Sequence, residues 1–172
     1  DRASIYNTYL DKMAQLIDRL VSGGREVRLL TGDQGDTQAV RDLQNRIRIS
    51  HLRQVVFEPV SSLQDVMQQI AKTDIVIASR YHNVVCALLM ERPVISIGYA
   101  RKNDALLSDT GLSEFCHHIE SFDPDRVLEQ IDEIDSRKSE LMRHITDGAR
   151  LYRQKLAEQE DALCRDLLQT SR

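Results

Sequence analysis

Arg80 and His82 stand two residues apart in Ser79-Arg80-Tyr81-His82-Asn83, where an apolar run gives way to a helical pattern. A guanidinium is a rigid, planar donor set suited to phosphate or carboxylate, and an imidazole donates, accepts or transfers a proton near neutral pH. The first turn of a helix adds unpaired N–H groups and a partial positive charge, so this place favours an anion. A blander reading has about equal weight: Arg80 pairs with a nearby carboxylate, and His82 caps or packs.

Gly98-Tyr99-Ala100-Arg101-Lys102 leaves the next apolar run with a phenol and two cations. Alone it reads as a solvated loop; beside Arg80 it reads as a second wall of the same site. Gly32-Asp33-Gln34-Gly35-Asp36 lacks the third glycine of a dinucleotide fingerprint and places acids where phosphate would approach, which argues against a nicotinamide cofactor. Asp36 reads first as a helix cap and second as an acceptor contact. Cys116-His117-His118 is not read as a metal site, because neighbouring side chains on an extended segment point to opposite faces. His51 and His144 have no evident companions.

Alternating patterns must position these groups. Helix 4–21 carries Ile5, Tyr9, Met13, Leu16, Ile17 and Leu20, and Gly23-Gly24 stops it. A strand over 26–31 leads to a helix running to about residue 49, with Val40, Leu43 and Ile47 inward. A strand over 54–58 stops at Pro59, and Ser61 or Ser62 caps a helix that buries Leu63, Val66, Met67 and Ile70. Residues 74–78 and 93–97 are apolar enough for central parallel strands, with helix 82–91 between them. A short helix over 103–110 ends at Gly111, and 116–119 suits an edge strand. Asp123-Pro124 opens another helix, with Val127, Leu128, Ile131 and Ile134 inward. Residues 137–169 make one helix longer than the domain needs, so its far end is expected to pack on a partner domain or another copy.

This order specifies an α/β domain: a Rossmann-like parallel sheet of four to five strands with flanking helices and a long C-terminal helix. Ligands of such sheets bind beyond the carboxyl ends of the strands, where the Arg80 and Tyr99 loops fall. The totals agree. Apolar residues make up 41% and net charge is −4, which argues against disorder and against a general nucleic-acid binder. No run is long and apolar enough to span a bilayer. Three scattered cysteines fit free thiols in a reducing, cytoplasmic setting. The opening at Asp1, without methionine, reads as a piece of a larger protein whose N-terminal partner domain lies outside this chain.

Asp74-Ile-Val-Ile-Ala-Ser-Arg80-Tyr81-His82, then Ala87-Leu88, Arg92-Pro93-Val-Ile-Ser-Ile, Tyr99 and Lys102, resemble the polysaccharide pyruvyl transferase family over roughly residues 5–115. That family carries an Arg-x-His motif after such a strand and a Tyr-x-x-Lys motif after the next. The resemblance implies the second half of a glycosyltransferase-B-like fold, with residues 1–136 as the donor-binding half and 137–172 as the long helix. It implies transfer of pyruvyl from phosphoenolpyruvate onto two sugar hydroxyls as a ketal, with no cofactor besides that donor. His82 is then the proton donor, and Arg80, Tyr81, Tyr99, Lys102 and Asp36 bind substrates. The partners implied are this donor, a carbohydrate acceptor, and either an N-terminal partner domain or further copies of the chain. In the family the second half opens with a strand ahead of helix 4–21 and a basic residue near it. Neither has a counterpart here, so the sheet is expected to lack an inner strand and the isolated chain to be inactive or weakly active. Two other readings stay open: the nucleotide-sugar-binding half of a glycosyltransferase or epimerase, and a non-catalytic dimerising domain. The first of these calls for an acidic residue to hold ribose, and the helix after Arg80 offers no clear one.

Overall fold

The computed structural model describes residues 1–32, 34–99 and 101–169; Asp33 and Ala100, each inside a loop singled out above, lie outside the described residues. The elements run α1 (Arg2–Ser22), β1 (Val27–Leu29), α2 (Thr37–Gln44), β2 (Val55–Phe57), α3 (Leu63–Ala71), β3 (Val76–Ala78), α4 (Tyr81–Leu89), β4 (Val94–Gly98), α5 (Arg101–Asp109), β5 (Cys116–His118), α6 (Pro124–Ser136) and α7 (Lys138–Gln169). All described strands pair in parallel, as helical crossovers require.

Local chemistry explains the boundaries. Asp1 caps α1, its carboxylate accepting the Ala3 N–H at 3.2 Å. Ser62 and Asp65 form a reciprocal capping box at α3. Asp123 caps α6 with Pro124 in its first turn. Gly111 ends α5 at φ 72°, a backbone state that favours glycine.

The five strands do not form one sheet. β1 pairs only with β2, while β3, β4 and β5 form a separate sheet in that order. The expectation of a single sheet of four to five strands is therefore corrected to sheets of two and three. The physical cause is a cavity of about 1310 Å³ lined by Val27–Leu30 on one side and Ile75–Ser79 on the other. Each half has its own apolar cluster. The larger surrounds β3 and β4 and takes in Phe115, Phe122, Ile131 and Ile145; the smaller joins α1, α2, β1 and β2 through Leu10, Ile17, Val40 and Leu43. α1 packs against α2 and α6, α3 against α4, and α4 against α7, which gives two helical layers.

Smaller expectations also change. α2 stops at Gln44, and a 3₁₀ segment over Ile49–Gln54 follows. Leu63 faces solvent at 57% exposure, because it is the first residue of α3 and lies off the inward stripe. His51 does have a companion: its Nδ1 lies 2.7 Å from Asp18 Oδ1. α7 is buried through Leu141, Ile145 and Ala149, then exposes Leu151, Leu156 and Leu163. Among the described residues no helix is long and apolar enough to cross a membrane.

Candidate functional site

The site forms at the seam between the halves, at the carboxyl end of β3. Arg80 occupies the N-cap position of α4 in extended backbone and makes no side-chain cap hydrogen bond. Its guanidinium turns instead to the smaller half. Nε donates to Asp36 Oδ2 at 3.2 Å, and Nη2 pairs with Asp36 Oδ1. The Gly32 N–H donates to the same carboxylate at 3.3 Å. Asp36 is thus not the helix cap first read from the sequence. It sits at the N-cap position of α2 without a side-chain cap bond, because its oxygens are drawn to a fork of opposite charge.

Close packing holds this pair in place. A Cβ on Gly32 would lie 3.0 Å from Arg80 Cγ and 3.2 Å from Asn83 Nδ2. Asn83 is buried in the first turn of α4. Below Arg80, the Tyr9 hydroxyl and Ser79 Oγ lie 2.8 Å apart and tie α1 to the end of β3. Burial raises the Tyr9 phenol above its ordinary value, and the bond to Ser79 partly offsets this. Asp36, Ser79, Arg80, Asn83 and Tyr99 all line the cavity.

Tyr81, His82 and Lys102 form a second group. The Tyr81 and His82 rings meet edge to face at 5.8 Å, and Lys102 Nζ stands 4.5 Å over the Tyr81 ring. His82 is exposed, and Tyr99 is 72% exposed. The structure therefore brings Arg80 to Asp36, and both His82 and Lys102 to the Tyr81 ring. Tyr99 stands open at the cavity mouth. Arg80's bond to a local carboxylate is the blander of its two sequence readings, and it fixes the guanidinium plane at the seam.

Sequence reasoning gave no role to Tyr9, Gly32, Asn83 or Asn103. Asn103 is 2% exposed and donates through Nδ2 to Ser96 Oγ at 3.1 Å. Among the described residues its Oδ1 has no partner. A Cβ on Gly98 would sit 2.8 Å from Asn103 Nδ2, so glycine lets α5 start this close to β4. A polar residue on an otherwise buried helical stripe was the available signal. The Cys116-His117-His118 run spends its groups locally: His117 Nε2 lies 2.6 Å from Gln130 Oε1, and His118 Nδ1 accepts the Glu120 N–H. Burial, with Asp104 adding to it, pushes the Cys116 thiol up to about 11, so it is protonated at neutral pH and a poor nucleophile.

The family model for polysaccharide pyruvyl transferase matches residues 2–101, which hold Asp36, Arg80, Tyr81, His82 and Tyr99. Lys102 falls one residue beyond the match. No curated protein and no solved structure matches the chain.

Proposed function

The chain belongs to the polysaccharide pyruvyl transferase family, and we propose that it supplies the donor-site half of an enzyme that uses phosphoenolpyruvate. The observation that carries this reading is Arg80 at the N-cap of α4, where it lines the seam cavity, with the exposed His82 two residues on in the first turn of that helix. Arg80 and the α4 N-terminus receive the donor's phosphate and carboxylate, with Lys102 adding charge above Tyr81.

In the reaction the enol methylene takes a proton from His82 and becomes a methyl group, and the adjoining carbon becomes electron-deficient. One sugar hydroxyl adds there. The second then displaces phosphate and closes the ketal. Two hydroxyl protons leave, one of them restoring His82, and inorganic phosphate departs. Fixed cationic groups favour the charge that accumulates on the departing phosphate. Sugar hydroxyls approach from the open side, where Tyr99 stands exposed.

The test is phosphoenolpyruvate titrated into the chain and followed by NMR. Tyr81, His82 and Tyr99 resonances should move together. Arg80→Ala should weaken apparent affinity roughly ten- to a hundred-fold, the equivalent of about 1.5–3 kcal/mol for a charge-assisted contact. Shifts produced by a nucleotide sugar, with none from phosphoenolpyruvate, would overturn the donor assignment.

A further inference from the structure

Between Arg41 and Arg53 the chain has four arginines and one aspartate, whereas its net charge over all residues is −4. Near the middle of this basic stretch stands Ile49. It is 87% exposed, more than any other large apolar side chain among the described residues. Arg48, Ser50 and Arg53 around it are exposed as well. An apolar side chain held out among cations is a poor use of a sequence unless something receives it.

Both flanks of this tip are anchored. Ile47 on one side is buried in the smaller cluster, and Leu52 on the other packs against it. The Asp18 carboxylate of α1 accepts the Arg48 N–H at 3.1 Å and lies 2.7 Å from His51 Nδ1. The 3₁₀ turn that starts at Ile49 is thus fixed to the body of the protein. The charge at the tip is positive. Asp18 is largely enclosed and already engaged, and Asp11 answers Arg46. The Arg48 guanidinium is 71% exposed, with Asp18 at 3.6 Å, and neither Arg41 nor Arg53 enters an ion pair among the described residues.

The chemistry of the tip selects among receivers. A protein partner needs an apolar core of several side chains within roughly 800 Å² on each side, and this tip offers one. Single-stranded nucleic acid is held by stacking on aromatic rings, and residues 41–53 contain no Phe, Tyr or Trp. A lipid bilayer asks for what is present. One apolar side chain enters the boundary between headgroups and acyl chains, and cations beside it meet anionic headgroups.

We infer that the Ile49 tip, with Arg41, Arg48 and Arg53, docks the protein on the surface of an anionic lipid bilayer. Ile49 is the apolar anchor and the arginines supply the attraction to headgroup phosphates. The tip precedes β2, whereas Asp36 follows β1, and these two strands run parallel. Tip and candidate site therefore lie at opposite ends of the smaller half, and docking leaves the Asp36–Arg80 pair turned away from the lipid. The inference stands apart from the pyruvyl-transfer reading.

The experiment uses vesicles of phosphatidylcholine with about 30% phosphatidylglycerol, and vesicles of phosphatidylcholine alone. The chain has no tryptophan, so Ile49→Trp supplies a single indole reporter at a position too exposed to disturb the core. Its emission should shift to the blue with the anionic vesicles and not with the neutral ones. In sedimentation the unaltered chain should bind the anionic vesicles, and less as salt rises. Ile49→Ser should weaken binding about tenfold, and Arg48→Gln and Arg53→Gln about fivefold each. No binding, or binding unchanged when all three exchanges are combined, would overturn the docking. A blue shift that needs no vesicles and grows with protein concentration would give the tip to a second copy and overturn it too. So would tighter binding to dextran sulfate than to the vesicles, which would make the tip a site for soluble polyanions.

Discussion

Around β4 every residue from Val94 to Gly98 is buried, whereas β1 and β2 each bury one residue of three. The larger half encloses β4 between neighbours on both sides and helices above and below. The smaller half is a two-stranded ribbon under α1 and α2, with the cavity on its inner side. Arg80 belongs to the first half and Asp36 to the second, so the candidate site spans the joint between a densely packed core and a smaller one beside the cavity. A fold can thus hold one binding group from a densely packed side while its partner stands on a more open one.

The contrast should be largest in stability. Phe115→Ala in the larger cluster should cost about 3–5 kcal/mol, and Leu43→Ala in the smaller about 2 kcal/mol, because residues beside the cavity have room to relax. Chemical denaturation measures both, and equal costs would show that the halves are packed alike. Next comes chemistry. In a catalytically competent assembly His82→Gln should lower turnover about a hundred-fold with donor affinity little changed, since glutamine keeps hydrogen-bonding capacity and loses the transferable proton. A mutant that turns over normally but binds donor weakly would make His82 a binding residue instead.

A subtler probe acts on the joint itself. Gly32→Ala places a methyl 3.0 Å from Arg80 Cγ and so presses the guanidinium away from Asp36. Affinity for phosphoenolpyruvate should fall by up to about tenfold in the same titration. The smallest effect concerns acid. The Ser61 N–H and hydroxyl, with the Ser62 N–H, hold the Asp65 carboxyl below its usual range. A bond from Gln69, with help from Arg28, does the same for Glu58. Both folded values are depressed, so their contribution is complete above the unfolded value of about 4 and disappears as pH falls through the folded value. Melting temperature should decline below about pH 4, and less steeply in Asp65→Asn. An unchanged slope would remove the capping box from the acid response.

The order of elements was legible because apolar spacing and caps are local. Val94–Gly98 and the Asp123-Pro124 start carry their signals within a few residues. The Arg80-x-His82 pair was legible for the same reason. Partner choice was not. Asp36 and Arg80 are 44 residues apart, and nothing local decides whether a carboxylate caps its own helix or crosses to a guanidinium. Tyr9 reads as one more member of an apolar stripe until its hydroxyl is seen against Ser79. The division into two sheets depends on which strands become neighbours, a property of topology and not of any one segment.

The outer turns of α7 make the molecule easy to label. Cys86 is buried and Cys116 keeps its proton at neutral pH, while Cys164 is exposed on the helix. At 1.5 Å per residue Cys164 stands roughly 22 Å beyond Ala149, the last buried residue of that helix among those described. A thiol-reactive dye would therefore mark one point per molecule, far from both apolar clusters, and serve as a spectroscopic ruler for whatever approaches the exposed Leu156 and Leu163.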